Sequence, residues 1–273
     1  MSRKQRGALI IIGGSEDKKG ERIILKEVAE LTTAASGKLV IFTIATRLPE
    51  EVGEEYRSIF RDLGVRHLDV LDIRNREEVH DEANVKKLVG AAAIFFTGGD
   101  QLRITSQLGN SPVCKMMHEV HEQGGAIIGT SAGAAAMPDT MMLSGGGEES
   151  PGESELIMAA GLGFVSDVTI DSHFTQRGRI GRLLAAVTQN PMNLGLGIDE
   201  DTAIVHRGSG FRVIGSGAVY AIDGTDITYS SLSEKHTSGI ITIHDVKLHV
   251  LGSEQRFDLR SRRPVAPATA KQS

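Results

Sequence analysis

The sequence has few of the features that would place it in a specialised class. It contains one cysteine, Cys114, so no disulfide can form within the chain. That usage fits a reducing cytoplasm, which is where we expect the protein to work. Its 30 basic residues are outnumbered by 35 acidic ones. The net charge of −5 argues against nucleic acid as a partner, because phosphate binding needs a basic face.

Long hydrophobic runs are also missing. The charge-free run at 123–138 has 16 residues and includes Gly, Ser and Thr, so it is too short for a membrane-spanning helix. The apolar stretch at 8–12 is shorter than the core of a secretory signal. We therefore expect neither a membrane partner nor export.

Short apolar runs alternate with helical patterns along the first half of the chain. Runs without internal alternation fit strands buried on both faces. They lie at 8–12, 39–44, 93–96 and 126–128, with a weaker run at 67–72. Strand–helix alternation predicts a parallel sheet with helices on both faces, and ligands bind at the carboxyl ends of such strands. At their carboxyl ends, three of the five runs are followed by glycine-rich turns.

The second half of the chain predicts closely spaced strands. Gly-Ser-Gly at 208–210 and again at 215–217 is typical of hairpin turns. No Pro- or Ser-rich linker separates the halves. We therefore expect one α/β domain over 7–260 with a C-terminal antiparallel β extension, followed by a disordered tail over 261–273. The Gly- and Glu-rich loop at 144–155 is unusually long.

The motif Gly-Thr-Ser-Ala-Gly at 129–133 matches G-x-S-x-G, the nucleophile elbow. A predicted buried strand precedes the motif, and an alanine-rich segment that favours a helix follows it. This is the context that the motif requires. Such a turn would hold the Ser131 hydroxyl at a helix N-terminus, where the dipole favours developing negative charge. The alternative is a tight strand–helix turn that merely needs small residues.

A nucleophilic serine needs a base and an acid that orients it. His173 follows a predicted strand and is the candidate base, although a structural histidine is the alternative. Three carboxylates, at 199–201, follow another apolar run, and spacing alone does not say which turns inward. The order Ser, His, acid disfavours an α/β-hydrolase, which would need a late histidine such as His244 or His249.

Five motifs in order resemble the cyanophycinase family of serine peptidases, which is related to peptidase E. They are Gly13-Gly14-x-Glu16-Asp17-Lys18, Thr97-Gly98-Gly99-Asp100-Gln101-Leu102, Gly129-Thr130-Ser131-Ala132-Gly133-Ala134, Asp171-x-His173-Phe174 and Gly195-Leu196-Gly197-Ile198-Asp199-Glu200-Asp201-Thr202. The resemblance implies a flavodoxin-like three-layer sandwich with a mostly parallel central sheet, similar to class I glutamine amidotransferases. It also implies a homodimer. We expect no cofactor and no metal, because no His/Cys/Asp cluster has the spacing of metal ligands and the single cysteine could not build a Cys-based zinc site.

The resemblance further implies a substrate and a set of roles. The substrate is cyanophycin, a poly-aspartate whose β-carboxyls carry arginine, which the family cleaves to β-aspartyl-arginine dipeptides. Ser131 would be the nucleophile, His173 the base and Glu200 the orienting acid. The N–H groups of Gly99 and Ala132 would hold the oxyanion. The residues implied to bind substrate are Gln101, Asp171, Ser172, Arg177, Arg179 and Arg182.

The family pattern has Gln at position 172, where this chain has the shorter Ser172. We expect the Glu-rich loop, with Glu148, Glu149 and Glu153, to help receive the arginines of the polymer. Two other functions stay open besides the esterase disfavoured above. One is a peptidase E-like enzyme acting on aspartyl or isoaspartyl dipeptides, and the other is a non-catalytic binding protein on the same fold.

Overall fold

The computed structural model describes residues 5–35, 37–144, 156–232 and 239–266. A nine-stranded sheet forms its centre. The strands of that sheet are β1 (Leu9–Ile12), β2 (Lys38–Phe42), β3 (Leu68–Leu71), β4 (Ala91–Phe96), β5 (Ala126–Thr130), β10 (Thr202–Arg207), β11 (Gly210–Gly215), β16 (Arg256–Asp258) and β17 (Arg263–Val265). Their spatial order is β17-β16-β11-β10-β1-β5-β4-β2-β3.

The five predicted strands of the first half form the parallel part of this sheet, from β1 to β3. β10 pairs with the other side of β1 in the antiparallel direction. β11, β16 and β17 extend the sheet beyond β10, each antiparallel to the strand before it. The predicted α/β class with an antiparallel extension is therefore confirmed. β17 lies within the segment that we expected to be a tail, and residues 267–273 lie outside those described.

Helices cover both faces of the central sheet. They are α1 (Ile23–Ala34), α2 (Pro49–Asp62), α3 (Glu82–Leu88), α4 (Gln101–Leu108), α5 (Pro112–Glu122), α6 (Ala132–Ala135) and α7 (Ile180–Gln189), with short 3-10 turns at Glu78–His80 and Thr175–Arg177. Alternate residues of β1 point to opposite cores: Ile10 packs with α1 and α2, whereas Ile11 packs with α3 to α6. No helix in the described ranges is long and apolar enough to cross a membrane.

A second, four-stranded sheet packs against the core on the α3–α6 side. Its strands are β8 (Val168–Ser172), β9 (Leu194–Ile198), β12 (Val219–Asp223) and β15 (Lys247–Leu251). β8 and β9 are parallel, and α7 packs on the far face of this sheet. Short hairpins complete the described chain: β6 (Thr140–Ser144) with β7 (Ile157–Ala160), and β13 (Tyr229–Ser230) with β14 (Ile243–His244).

The two Gly-Ser-Gly segments, both predicted as hairpin turns, differ in the structure. The first lies at the β10–β11 hairpin, where Arg207 pairs with Gly210, so that prediction is confirmed. The prediction for 215–217 is wrong, because β11 belongs to the central sheet whereas β12 pairs with β9 and β15 in the second one. The segment is a crossover between sheets, and its Ser216 hydrogen-bonds through its N–H and its hydroxyl to Asp201 in the loop after β9.

Candidate active site

Ser131 lies between β5 and α6 in a conformation that few side chains adopt. Its φ is 53° and its ψ is −111°, and its N–H donates to the carbonyl of Ile12 at the end of β1. The carbonyl of Ser131 accepts from the N–H of Ala135, which starts the short helix. Strained backbone of this kind persists only where the surroundings determine it, and it clusters at functional sites.

Both glycines of the 129–133 motif are required by close backbone contacts. A Cβ on Gly129 would overlap the backbone of Gly133, and a Cβ on Gly133 would lie 2.7 Å from the carbonyl oxygen of Phe96. β5, β4 and α6 can approach so closely only without side chains at these positions. The turn therefore has the strand–turn–helix geometry that the motif predicts, with β5 before it and α6 after it.

Ser131, His173 and Glu200 form one hydrogen-bonded chain. Ser131 Oγ lies 2.8 Å from His173 Nε2, and His173 Nδ1 lies 2.6 Å from Glu200 Oε1. An ionised Glu200 can only accept, so Nδ1 carries the proton and Nε2 is left to accept from the serine hydroxyl. This is the arrangement that a serine nucleophile with a histidine base requires.

The structure distinguishes the three consecutive carboxylates that the sequence left open. Asp199 accepts from the Thr175 hydroxyl at 2.6 Å and holds the turn after His173. Asp201 accepts from the N–H of Asp17 at 2.8 Å and from the hydroxyl of Ser216. Glu200 alone turns to the histidine, so its neighbours serve as loop anchors.

The electrostatic surroundings keep His173 neutral. The residue is only 7% exposed, and burial lowers its pKa below the usual 6.5, with Arg177 and Arg179 adding to the effect. Glu200 works in the opposite direction, because its hydrogen bond favours the protonated ring. The same hydrogen bond lowers the pKa of Glu200, so the carboxylate stays ionised.

The glycine-rich turn after β4 lies beside the serine. A Cβ on Gly98 would lie 3.4 Å from Ser131 Cβ. Gly99 has a φ of +142°, and a side chain there would overlap the carbonyl of Ala45. Within the described ranges, the N–H groups of Gly99 and Ala132 donate to no acceptor. Ala132 is the first residue of α6, so its N–H has no partner inside the helix.

The structure brings the predicted substrate-binding residues of β8 and α7 together. Asp171 is 1% exposed, and its carboxylate accepts a two-pronged hydrogen bond from Arg182, with Nε at 2.6 Å. Arg179 donates to the same carboxylate at 3.2 Å and to the carbonyl of Ser172 at 2.6 Å. The carboxylate of Asp171 is thus already occupied by two guanidinium groups.

The remaining predicted binding residues lie around this pair. The side chain of Ser172 is buried. Arg177 is exposed in the turn after His173. Gln101 starts α4, and its amide N–H donates to the carbonyl of Met142 at 3.1 Å, while no residue in the described ranges donates to its amide oxygen. The predicted Glu-rich loop lies almost wholly outside the described residues, from 145 to 155.

Three residues of the site had no predicted role. A Cβ on Gly14 would lie 2.5 Å from His173 Nε2, so this glycine makes room for the ring. Gln176 accepts the N–H of Glu200 at 3.1 Å. Glu16 is buried next to Thr130. Gly14 and Glu16 belong to a motif that we quoted, but only the three-dimensional contacts reveal what they touch.

Comparison with known proteins places this geometry in a family. The model of peptidase family S51 matches residues 9–214. A protein named cyanophycinase from Nostoc sp. strain PCC 7120 is 38% identical over 264 residues, which cover 96% of this chain and 88% of that protein. Another protein of that name, from Geminocystis herdmanii, is 35% identical over 268 residues, covering 97% of this chain and 98% of that one.

A solved structure shares the fold at low sequence identity. The crystal structure of a peptidase from an acI-B1 actinobacterium superimposes with a TM-score of 0.69 at 22% identity, covering 94% of this chain and 98% of that one. The family match spans most of the chain and includes the strands that carry Ser131, His173 and Glu200. The chain therefore belongs to peptidase family S51 and is a serine-type peptidase.

Proposed function

We propose that this protein is a serine exopeptidase that hydrolyses cyanophycin to β-aspartyl-arginine dipeptides through an acyl-enzyme. The observation that carries the proposal is the relay Ser131–His173–Glu200, with 2.8 Å and 2.6 Å between its heteroatoms. The substrate follows from the cyanophycinases that are 35–38% identical over nearly the whole chain. It is also consistent with the arginine pair beside the relay, because the polymer carries both carboxylates and guanidinium groups.

In the first half of the reaction, Ser131 Oγ attacks the carbonyl carbon of a backbone amide. His173 Nε2 takes the hydroxyl proton, and Glu200 stabilises the imidazolium that forms. The N–H groups of Gly99 and Ala132 donate to the oxygen that becomes negative. The carbon–nitrogen bond then breaks, the leaving amine takes the proton from His173, and the acyl group stays on Ser131.

In the second half, water attacks the ester of the acyl-enzyme. His173 takes a proton from the water, a second oxyanion forms at the same two N–H groups, and the proton returns to Ser131 Oγ as the ester bond breaks. The products are a free carboxylate and the regenerated serine. The buried, neutral imidazole can perform both proton transfers near neutral pH because its pKa lies below the usual value.

Substrate recognition falls to groups that still have free hydrogen-bonding capacity. Arg179 and Arg182 are held side by side by Asp171, and their remaining N–H groups can bind the α-carboxylate of a substrate arginine. The exposed Arg177 can bind a second carboxylate. The free amide oxygen of Gln101 can accept from a guanidinium. Asp171 would therefore act by positioning the two arginines, and its carboxylate would not bind the substrate guanidinium.

The pH profile tests the relay. Because His173 must be neutral to accept the serine proton, kcat/KM should fall as the pH drops through the pKa of His173, and the acid limb should lie below pH 6.5. Glu200→Gln removes a carboxylate that raises this pKa, so the limb should move to lower pH while kcat falls about 10²- to 10⁴-fold. An acid limb above pH 6.5, or one unmoved in the variant, would contradict these assignments.

Asp171→Asn tests the arginine pair. The substitution leaves two largely buried guanidinium groups without their carboxylate, so we expect a loss of about 3 kcal/mol in unfolding free energy and a rise in KM of about tenfold. Chemical denaturation and steady-state kinetics measure the two effects. Asp226→Asn, at an exposed ion pair with Lys247, is the matched control and should change stability by less than about 1 kcal/mol. An unchanged KM in Asp171→Asn would remove the pair from substrate binding.

The substrate itself is tested by comparing kcat/KM for purified cyanophycin and for isoaspartyl dipeptides. The proposal expects the polymer to be preferred and β-aspartyl-arginine to appear as the product by mass spectrometry. Ser172, shorter than the family glutamine, leaves room for the alternative, a peptidase E-like dipeptidase. Turnover of dipeptides without release of product from the polymer would favour that alternative.

We also propose that the chain folds as one domain, predicted over 7–260 and extended by the pairing of β17 with β16, and that it works in the cytoplasm as a homodimer. The sheets share one continuous core, which supports a single domain. The edge strand β15 leaves Leu248 and Val250 about half exposed, and such apolar side chains suit a subunit interface. Sedimentation equilibrium should give twice the 29.2 kDa of the chain. A mass of one chain at micromolar concentration would overturn the dimer.

A further inference from the structure

Glu16 is a buried carboxylate beside the site that the proposed mechanism does not use. It follows β1 in the loop that carries Gly14, and only 4% of its surface is exposed. Its Oε2 accepts a hydrogen bond of 2.6 Å from the Thr130 hydroxyl, and its Oε1 accepts a short one from the Tyr56 hydroxyl. Thr130 immediately precedes Ser131, so Glu16 binds the residue next to the proposed nucleophile.

The surroundings of Glu16 keep both hydroxyls as donors to it. Burial and the neighbouring carboxylate raise the pKa of Tyr56 well above its usual value, so the phenol keeps its proton. Lys18 lies over the Tyr56 ring, 4.3 Å from its centre, and pairs with Glu55 at 2.6 Å. A buried carboxylate is costly unless it is hydrogen-bonded, so Glu16 and the two hydroxyls fix one another's positions.

The loop that carries Glu16 also contacts the other two parts of the relay. The carbonyl of Gly13 accepts the N–H of His173 at 2.8 Å. The carbonyl of Gly14 accepts the N–H of Asp201, next to Glu200, at 2.9 Å. Glu16 completes the set by binding the residue before Ser131. One short segment thus holds all three of the chain segments that bear the relay.

We infer that Glu16 is a positioning residue that aims Ser131 Oγ at His173 Nε2 through the hydroxyl of Thr130. The inference rests on the proposed role of Ser131. The strained backbone of the serine needs support on both sides. On the helical side the N–H of Ala135 binds the Ser131 carbonyl. On the strand side the Ser131 N–H binds the Ile12 carbonyl, and the Thr130 side chain is bound to Glu16. Without that anchor the fold remains, but the serine loses its alignment.

Two pairs of substitutions separate alignment from mere stability. Thr130→Val keeps the shape and removes the hydroxyl, whereas Thr130→Ser keeps the hydroxyl. Glu16→Met keeps the volume and removes both acceptors, whereas Glu16→Gln keeps an acceptor for Thr130 and can donate to the Tyr56 oxygen. We expect Thr130→Val and Glu16→Met each to lower kcat about 10- to 100-fold, because small misplacements of reacting groups are that costly.

The conservative variants, Thr130→Ser and Glu16→Gln, should recover most of the wild-type kcat, and KM should stay within twofold of wild type in all four. The double variant of Glu16→Met and Thr130→Val should be no slower than the slower single variant, because both remove the same contact. Thr32→Val, which deletes a buried hydroxyl in α1 that binds the Val28 carbonyl, is the matched control. It should lower the melting temperature without changing kcat.

Multiplying effects in the double variant, or an unchanged kcat in Thr130→Val, would overturn the inference. Each variant is assayed on cyanophycin and on isoaspartyl dipeptides. If wild type turns over only the dipeptides, the proposed polymer substrate fails while the kcat ratios still decide the role of Glu16. If Thr130→Val loses activity but Ser131→Ala does not, the proposed nucleophile fails instead.

Discussion

Ser131→Ala is expected to lower turnover at least about 10⁴-fold, which is the order of loss when one member of such a relay is removed. The physical reason is that the acyl-enzyme has no other oxygen to form on. The loss should fall on kcat, with substrate binding retained, because the arginines that we assign to recognition are untouched. The residual rate would report what the oxyanion donors contribute alone.

The fold of this variant should survive, because among the described residues the Ser131 hydroxyl hydrogen-bonds to His173 alone, and the strained turn is set by Gly129 and Gly133. Circular dichroism and the melting temperature check that expectation. Ser166→Ala, at an exposed serine that binds Asp167, is the matched control and should keep full activity. Wild-type turnover in Ser131→Ala would mean that another residue is the nucleophile.

Gly14→Ala should be among the most damaging single changes, although residue 14 takes no part in the chemistry. The new Cβ would lie 2.5 Å from His173 Nε2, the atom that we propose accepts the serine proton. His173 is held by the carbonyl of Gly13 and is 7% exposed, so the ring cannot retreat without losing Ser131 or Glu200. We expect kcat to fall by about 10²-fold or more.

Gly14 has a φ of +102°, so an alanine there also strains the backbone. The effect of that strain on activity must be measured apart from the effect of the steric overlap with His173. Gly64→Ala supplies the control: its φ is +89°, and no atom lies within 4 Å of its added Cβ. Both variants should lose about 1–2 kcal/mol of stability from the left-handed backbone. Only Gly14→Ala should lose activity, and an equal loss in both would refute the steric role of Gly14.

The sequence predicts the parallel sheet well because its signals are local. β1, β2, β4 and β5 follow short apolar runs, whereas β3 contains Asp69, and the turns after β1, β4 and β5 contain the glycines that close packing demands. The position of Ser131 follows from the same local pattern. The elements before it and after it agree with one another, which is what makes a weak five-residue motif informative.

Features that depend on contacts between residues distant along the chain could not be predicted from the sequence. A Gly-Ser-Gly segment has the same composition whether its flanking strands pair with each other or with separate sheets, so 215–217 resembled a hairpin. Which of the three carboxylates at 199–201 turns to His173 depends on the hydrogen bonds that hold the other two. Those bonds come from Thr175 and Ser216, which are distant from the carboxylates along the chain. The occupation of Asp171 by Arg179 and Arg182 likewise depends on how α7 packs on β8.

The central claim is that Ser131 carries the acyl group of cyanophycin during turnover. The most direct measurement is an acid quench of wild type reacting with purified polymer, followed by peptide mapping and mass spectrometry of the enzyme and its products. We expect an ester adduct on the peptide that contains Ser131, together with β-aspartyl-arginine in solution, and neither with Ser131→Ala. An adduct on a different residue, or dipeptide release by Ser131→Ala at the wild-type rate, would contradict the account.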